Sequence, residues 1–306
     1  MNACLSYVKP ELPDTTVLTE WIQLKKDMSR GTGGAVSPNR FVHMIHRIAQ
    51  QKGRDLFTGF AQNDMPEFLL FLIECMHNSV CRPVNMRISG KTENAVDHLA
   101  IQCYTMLKDT YAKEYSEFME LFYGIYVSRI TSMDNQVHSL KPESFFILDL
   151  PLSGESIQTM EQCFDRYVET ETLSGENAWF NEKTGESETA NKNMVFWNLP
   201  KILVVLLKRF SADGQRKNGA QVMFPIESMN LSKYVAGYNP QSYQYELFGV
   251  CNHMGNVAGG HYTAFTKMGE TWYHFNDTRV DIVLNPAQMV TPAAYCLFYR
   301  KKNKGV

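Results

Sequence analysis

The chain has 306 residues, 44% apolar and 20% charged, which is enough for a full hydrophobic core in one large domain or two small ones. With a formal net charge of −2, the chain lacks the strong positive electrostatic field expected of a nucleic-acid-binding protein. No apolar run approaches the roughly 18 residues of a membrane span, and the first residues do not resemble a signal peptide. We therefore expect a globular protein with no nucleic-acid or membrane partner, located by default in the cytoplasm or nucleus.

The first half of the chain is predicted to be helical. Segments 41–50, 65–78 and 94–107 place apolar side chains three or four residues apart, with polar residues between them. Asp64 precedes a proline and then Glu67, so a capping side chain, a proline in the first turn and a carboxylate near the positive helix end follow in order. The helix over 65–78 is the most strongly predicted element.

From residue 118 onward the pattern changes to shorter runs that are rich in β-branched and aromatic residues. A polar stretch over 170–193 is typical of hairpins and loops. The predicted strands cover residues 122–130, 144–152, 202–210, 245–253, 261–267, 271–275 and 294–300. A helical lobe followed by an antiparallel β lobe predicts an α+β fold with a cleft between the lobes.

The cysteines are odd in number, widely scattered and never spaced as CxxC. They are Cys4, Cys75, Cys81, Cys103, Cys163, Cys251 and Cys296. His43 and His46 stand three apart on a predicted helix without nearby cysteine partners. We expect no disulfide framework, no metal site and no cofactor.

Segment 255–280 is predicted to form a hairpin. A turn centred on Met268 and Gly269 places His261 directly opposite Asn276. Directly opposed side chains have Cβ atoms about 5 Å apart, within reach of a hydrogen bond between an imidazole and an amide. Such a partner fixes the histidine tautomer and leaves the other ring nitrogen free to take a proton from a thiol. The alternative is a structural histidine that lies beside a polar residue. If the pair is considered by itself, this alternative is favoured.

Three glycines, at positions 255, 259 and 260, precede His261. They allow positive φ angles and a close approach of a substrate main chain.

The wider pattern resembles a known family. GGHYTAF at 259–265, WYHFND at 272–277 and AYCLFYRK at 294–301 resemble, in order and spacing, the histidine box of ubiquitin-specific proteases. Further upstream, LFTGFAQNDMPEFLLFLIECMH is similar to the family's helix that begins with Gln, Asp and Glu-Phe, and ESFFILDLPL and LPKILVVLLKRF are similar to its palm strands. Four ordered blocks are far more specific than one short motif.

The resemblance implies a papain-like cysteine peptidase fold with thumb, palm and fingers. One catalytic domain would cover 1–306, with a mainly helical thumb over 1–117, fingers and the start of the palm over 118–200, and the palm over 201–306. Ubiquitin, alone or attached to a protein, would rest on the fingers, and its tail would run through the cleft between thumb and palm. The implied reaction cleaves isopeptide or peptide bonds after the terminal glycine of ubiquitin.

The resemblance also implies roles for individual residues. His261 is the expected general base, Asn276 orients it, and Asp277 assists at the oxyanion or structurally. Asp64 and Glu67 are expected to meet the arginines of the ubiquitin tail, although helix capping explains Glu67 almost as well.

The segment 259–262 is expected to line the path of the tail. Its members in this role are Gly259, Gly260 and Tyr262.

The nucleophile is where the sequence departs from the family. The family's cysteine box reads roughly GNTCFMNACLQ. This chain starts with MNACLS, which matches only the downstream half of that box. Cys4 falls where the family carries an apolar core residue, so we expect it to be buried and unreactive.

Two interpretations remain for the missing half of the box. Either the full protein carries the nucleophile upstream of Met1, or the chain is a shortened pseudoenzyme that binds ubiquitin. Retention of His261 and Asn276 favours the first interpretation.

A third reading, an unrelated papain-like hydrolase or transferase, leaves the upstream blocks unexplained. Many family members also carry two CxxC pairs in the fingers, but only Cys163 lies between Cys103 and Cys251, so structural zinc is not expected. Oligomeric state leaves no pattern in the sequence.

Overall fold

The computed structural model describes residues 5–30, 35–59, 62–211, 213–256 and 259–302, which form helices and sheets in two compact units. One unit comprises Met1–Asn85 and Thr110–Leu121, and the other comprises Met86–Asp109 and Phe122–Val306. The predicted α+β class is confirmed. The division into thumb, fingers and palm at the predicted boundaries stays a prediction.

The α-helices of the described residues share the amphipathic pattern expected for packed helices. In chain order they are α1 (Asp14–Ser29), α2 (Asn39–Gln51), α3 (Met65–Val80), α4 (Ala95–Tyr111), α5 (Glu117–Phe122) and α6 (Met160–Tyr167). The three helices predicted over 41–50, 65–78 and 94–107 correspond to α2, α3 and α4, and α1 was not predicted.

In chain order, the strands of the described residues are β1 (Gly124–Thr131), β2 (Val137–Phe145), β3 (Ile147–Pro151), β4 (Ile157–Thr159), β5 (Glu171–Leu173), β6 (Trp179–Asn181), β7 (Glu186–Glu188), β8 (Ala190–Asn198), β9 (Ile202–Lys208), β10 (Gln221–Met223), β11 (Met229–Asn230), β12 (Gln244–Asn256), β13 (Gly259–Met268), β14 (Thr271–Asn276), β15 (Arg279–Val283) and β16 (Ala294–Lys301). Among them, central strands such as β9 and β16 bury most of their side chains, as strands covered on both faces do.

In the helical unit, α1 packs against α2 and α3. Helix α2 buries Phe41, Ile45 and Ile48, which the 3.6-residue period places on one face. The Lys52 ammonium lies 2.7 Å from the Asp14 carboxylate and 3.0 Å from that of Glu74, so one cation joins all three helices. Apolar burial supplies most of the stability of this unit, and the ion pairs fix the relative positions of the helices.

The start of α3 differs from its prediction in one detail. Asp64 occupies the N-cap position in an extended conformation, but its side chain makes no capping hydrogen bond. A cap normally accepts from the amide of the second or third helical residue, and here the second residue is Pro66, which has no N–H. Asp64 and Glu67 are both exposed at the positive end of the helix. The helix start was predicted correctly, and the capping role of Asp64 was wrong.

The second unit is built around an eight-stranded sheet. Its strand order is β15-β14-β13-β12-β16-β9-β3, with β11 paired to β12, and only β3 and β9 run parallel. A four-stranded sheet in the order β2-β1-β8-β5 lies in the same unit, and α4 packs on it through Leu99, Ala100 and Cys103. The main core mixes aliphatic and aromatic side chains and includes the fully buried Phe164 and Tyr299.

The run predicted as one strand over 144–152 is two strands in two sheets. Phe145 pairs with Gly124 in the four-stranded sheet, whereas Ile147 pairs with Val204 in the eight-stranded sheet. Phe146 lies between the two strands and is buried. The apolar run continues through the change of sheet, so the composition does not mark the break.

Candidate active site

The candidate site lies on the hairpins formed by β12, β13, β14 and β15. Gly255 pairs with Gly260 across the β12–β13 ladder and has a φ of +128°. A Cβ on Gly255 would lie 2.5 Å from the Gly259 carbonyl oxygen, so only glycine fits there. The predicted need for glycine in a positive-φ conformation is confirmed at this position.

Gly260 is required for a different reason. A Cβ on Gly260 would lie 2.3 Å from the Met254 carbonyl oxygen and 2.4 Å from His253 Nε2. The absence of a side chain therefore lets β13 pack closely against its own neighbouring strand. A role of Gly259 and Gly260 in admitting a substrate main chain stays a prediction.

The predicted pair of His261 and Asn276 is formed. The distance from His261 Nε2 to Asn276 Oδ1 is 2.7 Å, and both side chains are partly buried. Since the amide oxygen only accepts, Nε2 carries the proton and Nδ1 presents a lone pair. This is the tautomer required of a base that takes a proton from a thiol through Nδ1.

The register behind this contact differs from the prediction. Phe265 pairs with His274 and Met268 with Thr271, so the turn is Gly269-Glu270 and not Met268-Gly269. Gly269 has a φ of +61° at the first turn position, which is typical of a two-residue type II′ hairpin. His261 and Asn276 are therefore diagonal neighbours and not directly opposed. Diagonal residues two positions apart stay on one face of the sheet and within reach of long side chains.

The amide of Asn276 is expected to set the tautomer of His261. Replacing Asn276 with Ala removes the acceptor, so the His261 ring should change from one tautomer to a mixture of both. The measurement is a long-range proton–nitrogen NMR spectrum of the histidine-labelled chain, in which non-exchanging ring protons report both ring nitrogens. Asn285→Ala is the matched control, because it removes an amide that caps a distant turn. An unchanged His261 pattern in Asn276→Ala would contradict this role.

The same face of the sheet carries a second polar pair next to His261. Asn252 Nδ2 donates to Thr263 Oγ1 at 3.1 Å, and both side chains are buried. The ring of His274 stacks on Phe265 with centroids 4.6 Å apart. These contacts help to fix the register of β12, β13 and β14 next to His261.

Two other predicted site residues lie beside this pair. Asp277 has a φ of +50° in the two-residue turn between β14 and β15, is exposed, and makes no side-chain hydrogen bond or ion pair with another described residue. Tyr262 is partly buried and packs against His253, with ring centroids 4.8 Å apart and the ring planes tilted by 40°. Neighbouring residues of a strand point to opposite faces, so the Tyr262 side chain lies on the face opposite His261. Their proposed roles toward a substrate stay predictions.

Asp64 and Glu67 belong to the helical unit. Glu67 lines a cavity of about 720 Å³ within that unit, together with the exposed Leu56 and Leu70. An exposed carboxylate beside apolar side chains suits a ligand with cationic and aliphatic parts. A role for these two carboxylates in binding an arginine-containing tail stays a prediction.

The described cysteines of the sheet unit are poor candidates for a nucleophile. Burial raises the pKa of the Cys103 thiol to about 12 and that of Cys163 to about 11, and Cys296 is fully buried. Cys251 pairs with Ala264, so its side chain points to the face opposite His261. Cys4 lies outside the described residues.

In the helical unit, burial strongly raises the pKa of Cys75. Cys81 is partly buried, and its sulfur lies 3.5 Å from Lys9 Nζ.

The residues that the structure describes contain neither a membrane-spanning helix nor a cluster of metal ligands. None of their helices is both long and apolar enough to span a bilayer. Nor do three or more of their His, Cys, Asp or Glu side chains come together as metal ligands would.

Two cationic residues near the site were missed by the sequence reasoning. Arg209 is 1% exposed and donates to the carbonyl oxygens of Ala294, Asn218 and Ala220 at 2.6, 3.0 and 2.7 Å. Lys217 Nζ donates to the carbonyl oxygen of His253 at 2.7 Å. The contacts of these two residues with His253 and Ala294 join positions more than 30 residues apart, and the other two contacts of Arg209 cross a loop. A short sequence motif therefore cannot predict them.

The contact between His261 and Asn276 has the geometry in which a cysteine peptidase holds its general base. The family model described as ubiquitin carboxyl-terminal hydrolase matches residues 3–299. The chain therefore belongs to the ubiquitin carboxyl-terminal hydrolase family, as its sequence motifs indicated.

Curated relatives carry the same family name. Ubiquitin carboxyl-terminal hydrolase Usp2 of Drosophila melanogaster is 30% identical over 294 residues, which cover 94% of this chain and 30% of the relative. Ubiquitin carboxyl-terminal hydrolase 2 of Homo sapiens is 33% identical over 272 residues, covering 86% of this chain and 44% of the relative. The chain thus spans less than half the length of these relatives.

A solved structure shares the fold. It is the SAGA Ubp8/Sgf11/Sus1/Sgf73 DUB module bound to ubiquitin aldehyde, with a TM-score of 0.73, 21% identity, and coverage of 99% of this chain and 64% of that chain. A second structure of the module, bound to monoubiquitin, has a TM-score of 0.75 at 22% identity and covers 98% of this chain and 62% of that chain. The predicted ubiquitin-specific protease fold is confirmed.

Proposed function

We propose that this chain is the ubiquitin-binding and base-supplying part of a thiol-dependent deubiquitinase. The substrate is ubiquitin joined through its terminal glycine to a lysine or to another chain. The observation that carries the proposal is the 2.7 Å contact between His261 Nε2 and Asn276 Oδ1, in a chain matched by the family model over residues 3–299. The structural neighbours bound to ubiquitin support the choice of partner.

The proposed mechanism proceeds through a thioester. His261 Nδ1 takes the proton of the nucleophilic thiol as the thiolate attacks the carbonyl carbon of the terminal glycine. The resulting imidazolium is held by the Asn276 amide oxygen and returns the proton to the leaving amine. Water, deprotonated by the same imidazole, then hydrolyses the thioester and frees the ubiquitin carboxylate.

The cellular setting is part of the same proposal. The six described cysteines are all free thiols, the state maintained in the reducing cytoplasm and nucleus. This setting also keeps a thiol nucleophile reduced, which matters because an oxidised sulfur cannot attack a carbonyl carbon.

The experiment that tests this function is intact mass spectrometry after incubation with ubiquitin that bears a thiol-reactive electrophile at its C-terminus. The chain is compared with a version that carries a GNTCF segment ahead of Met1. We expect the extended version to gain the mass of one ubiquitin, and the chain alone to gain none. Replacing the added cysteine with Ala is the control and should abolish the gain.

The other outcomes are equally informative. A gain by the chain alone that disappears in Cys4→Ala would identify Cys4 as a nucleophile and overturn our expectation for it. No gain in either version, with ubiquitin still bound, would favour a pseudoenzyme over a protease. No binding of ubiquitin at all would contradict the proposed function.

A further inference from the structure

The amine of Lys217 makes contacts that are concentrated on one short segment. Its Nζ lies 2.7 Å from the carbonyl oxygen of His253, 3.1 Å from His253 Nδ1 and 3.3 Å from the carbonyl oxygen of Gly255. An ammonium group has three N–H donors and no acceptor. All three donors of Lys217 are therefore used on residues 253–255.

The acceptors of Lys217 belong to the two residues that flank Met254, the residue opposite His261. Met254 pairs directly with His261 across the β12–β13 ladder, and Gly255 pairs with Gly260. The carbonyl groups of His253 and Gly255 flank Met254, so Lys217 fixes the backbone on either side of the His261 partner. Hydrogen bonds from a cation are stronger than those between neutral groups, which suits this task.

The side chain of His253 transmits the same constraint through packing. Its ring is 5% exposed and lies against Phe210, Tyr262 and Tyr295, with centroids 5.6, 4.8 and 5.8 Å away. An ideal Cβ on Gly260 would come within 2.4 Å of His253 Nε2, so the ring and the strand are in close contact. A shift of the His253 ring therefore moves the residue that directly precedes His261.

Lys217 is itself held in place before any substrate arrives. Its backbone forms a bridge with Phe210, and its ammonium lies 5.6 Å from the Phe210 ring centroid. Arg209 anchors the following residues through the carbonyl oxygens of Asn218 and Ala220. Burial lowers the pKa of Lys217, with a further contribution from the charge of Arg209, as expected for an amine enclosed by backbone.

We propose that Lys217 is a positioning residue for the general base: it holds residues 253–255, and through the paired strand it keeps His261 aligned with Asn276. This inference rests on the proposed function, in which His261 acts as the base. The contacts of Lys217 Nζ are to His253, Gly255 and Phe210 and not to the His261 ring, so its effect passes through the backbone.

The test uses the long-range NMR spectrum of histidine ring nitrogens in the chain as it stands. We expect Lys217→Met to convert His261 from the single Nε2–H tautomer to a mixture of tautomers, as in Asn276→Ala. The control is Arg216→Met, which removes the same charge from an exposed neighbouring position. Arg216→Met should leave the His261 pattern unchanged.

The unfolding midpoint is recorded for each variant to separate positioning from stability. If Lys217→Met lowers the midpoint but keeps the single His261 tautomer, Lys217 is only structural and the inference is wrong. Lys217→Gln repeats the test should Lys217→Met fail to fold, because its amide is polar but one bond shorter. Adding ubiquitin to the wild-type sample tests the proposed function separately, since a lack of binding leaves the tautomer comparison valid.

Discussion

Replacing His261 with Ala is expected to slow cleavage by about 10³- to 10⁴-fold in a version of the chain that carries an upstream cysteine box. In the proposed mechanism, the imidazole supplies the proton transfer that turns a thiol into a thiolate and an amine into a leaving group. Its Nε2 is already committed to Asn276 at 2.7 Å, so Nδ1 is the nitrogen available for this transfer. The measurement is kcat/KM for release of a fluorophore joined to the C-terminus of ubiquitin.

A neighbouring histidine provides the matched control. His274 lies on the same face of the sheet, one strand away, and stacks on Phe265. His274→Ala should lower kcat/KM by less than about tenfold, because the loss is one of packing and not of proton transfer. The affinity for ubiquitin should be similar in both variants. If His261→Ala retained kcat/KM within tenfold of the unmodified protein, the base would have to be another group.

Periodic segments were the part of the fold that the sequence predicted best. Helix α2 shows the i, i+4, i+7 pattern of a single buried face, and α3 is a long apolar segment with a proline in its first turn; both are local properties of the chain. The break between β2 and β3 was missed because Phe145, Phe146 and Ile147 are all apolar, although their strands belong to different sheets. Apolar composition indicates that a segment is buried, but it does not indicate the sheet to which the segment belongs, because both sheets bury apolar side chains.

The site was predicted from a register that was off by one residue at the turn, yet the contact itself was right. The correct turn, Gly269-Glu270, changes the residue opposite His261 by two positions. A change of two keeps Asn276 on the same face, whereas a change of one would have moved it to the other face. Face and approximate depth are thus encoded in the alternation of the strands, and the exact partner depends on turn geometry.

The contacts of Lys217 and Arg209 could not be predicted in this way. Lys217 reaches residues 253–255 from a separate loop, and Arg209 reaches Ala294 across 85 positions of sequence. Both are cationic side chains, and from sequence alone a Lys or Arg is normally expected to be exposed to solvent. Only the folded backbone brings their carbonyl partners together, so these residues emerge from the structure and not from motifs.

Replacing Arg209 with Met is expected to destabilise the sheet unit by about 4 kcal/mol, because it removes the guanidinium donor from three backbone carbonyls, two of them in fully buried hydrogen bonds. The opposing effect is the desolvation of the guanidinium: burial lowers the pKa of Arg209 to about 10, and its Nη2 atom has no hydrogen-bond partner among the described residues. Removing Arg209 relieves that cost. The carbonyl groups belong to the main chain and remain buried, so the loss of their donors should outweigh the relief.

The prediction for Arg209 is tested by urea unfolding followed through the fluorescence of Trp197 and Trp272, both buried in the sheet unit. Lys208→Met is the matched control, because Lys208 is adjacent in β9 but exposed, and its loss should change the free energy of unfolding by less than about 0.5 kcal/mol. An equal effect of the two substitutions would mean that guanidinium desolvation cancels the carbonyl contacts. A large effect confined to Arg209→Met would show that this cation holds the start of β16 and the segment carrying Lys217 in place.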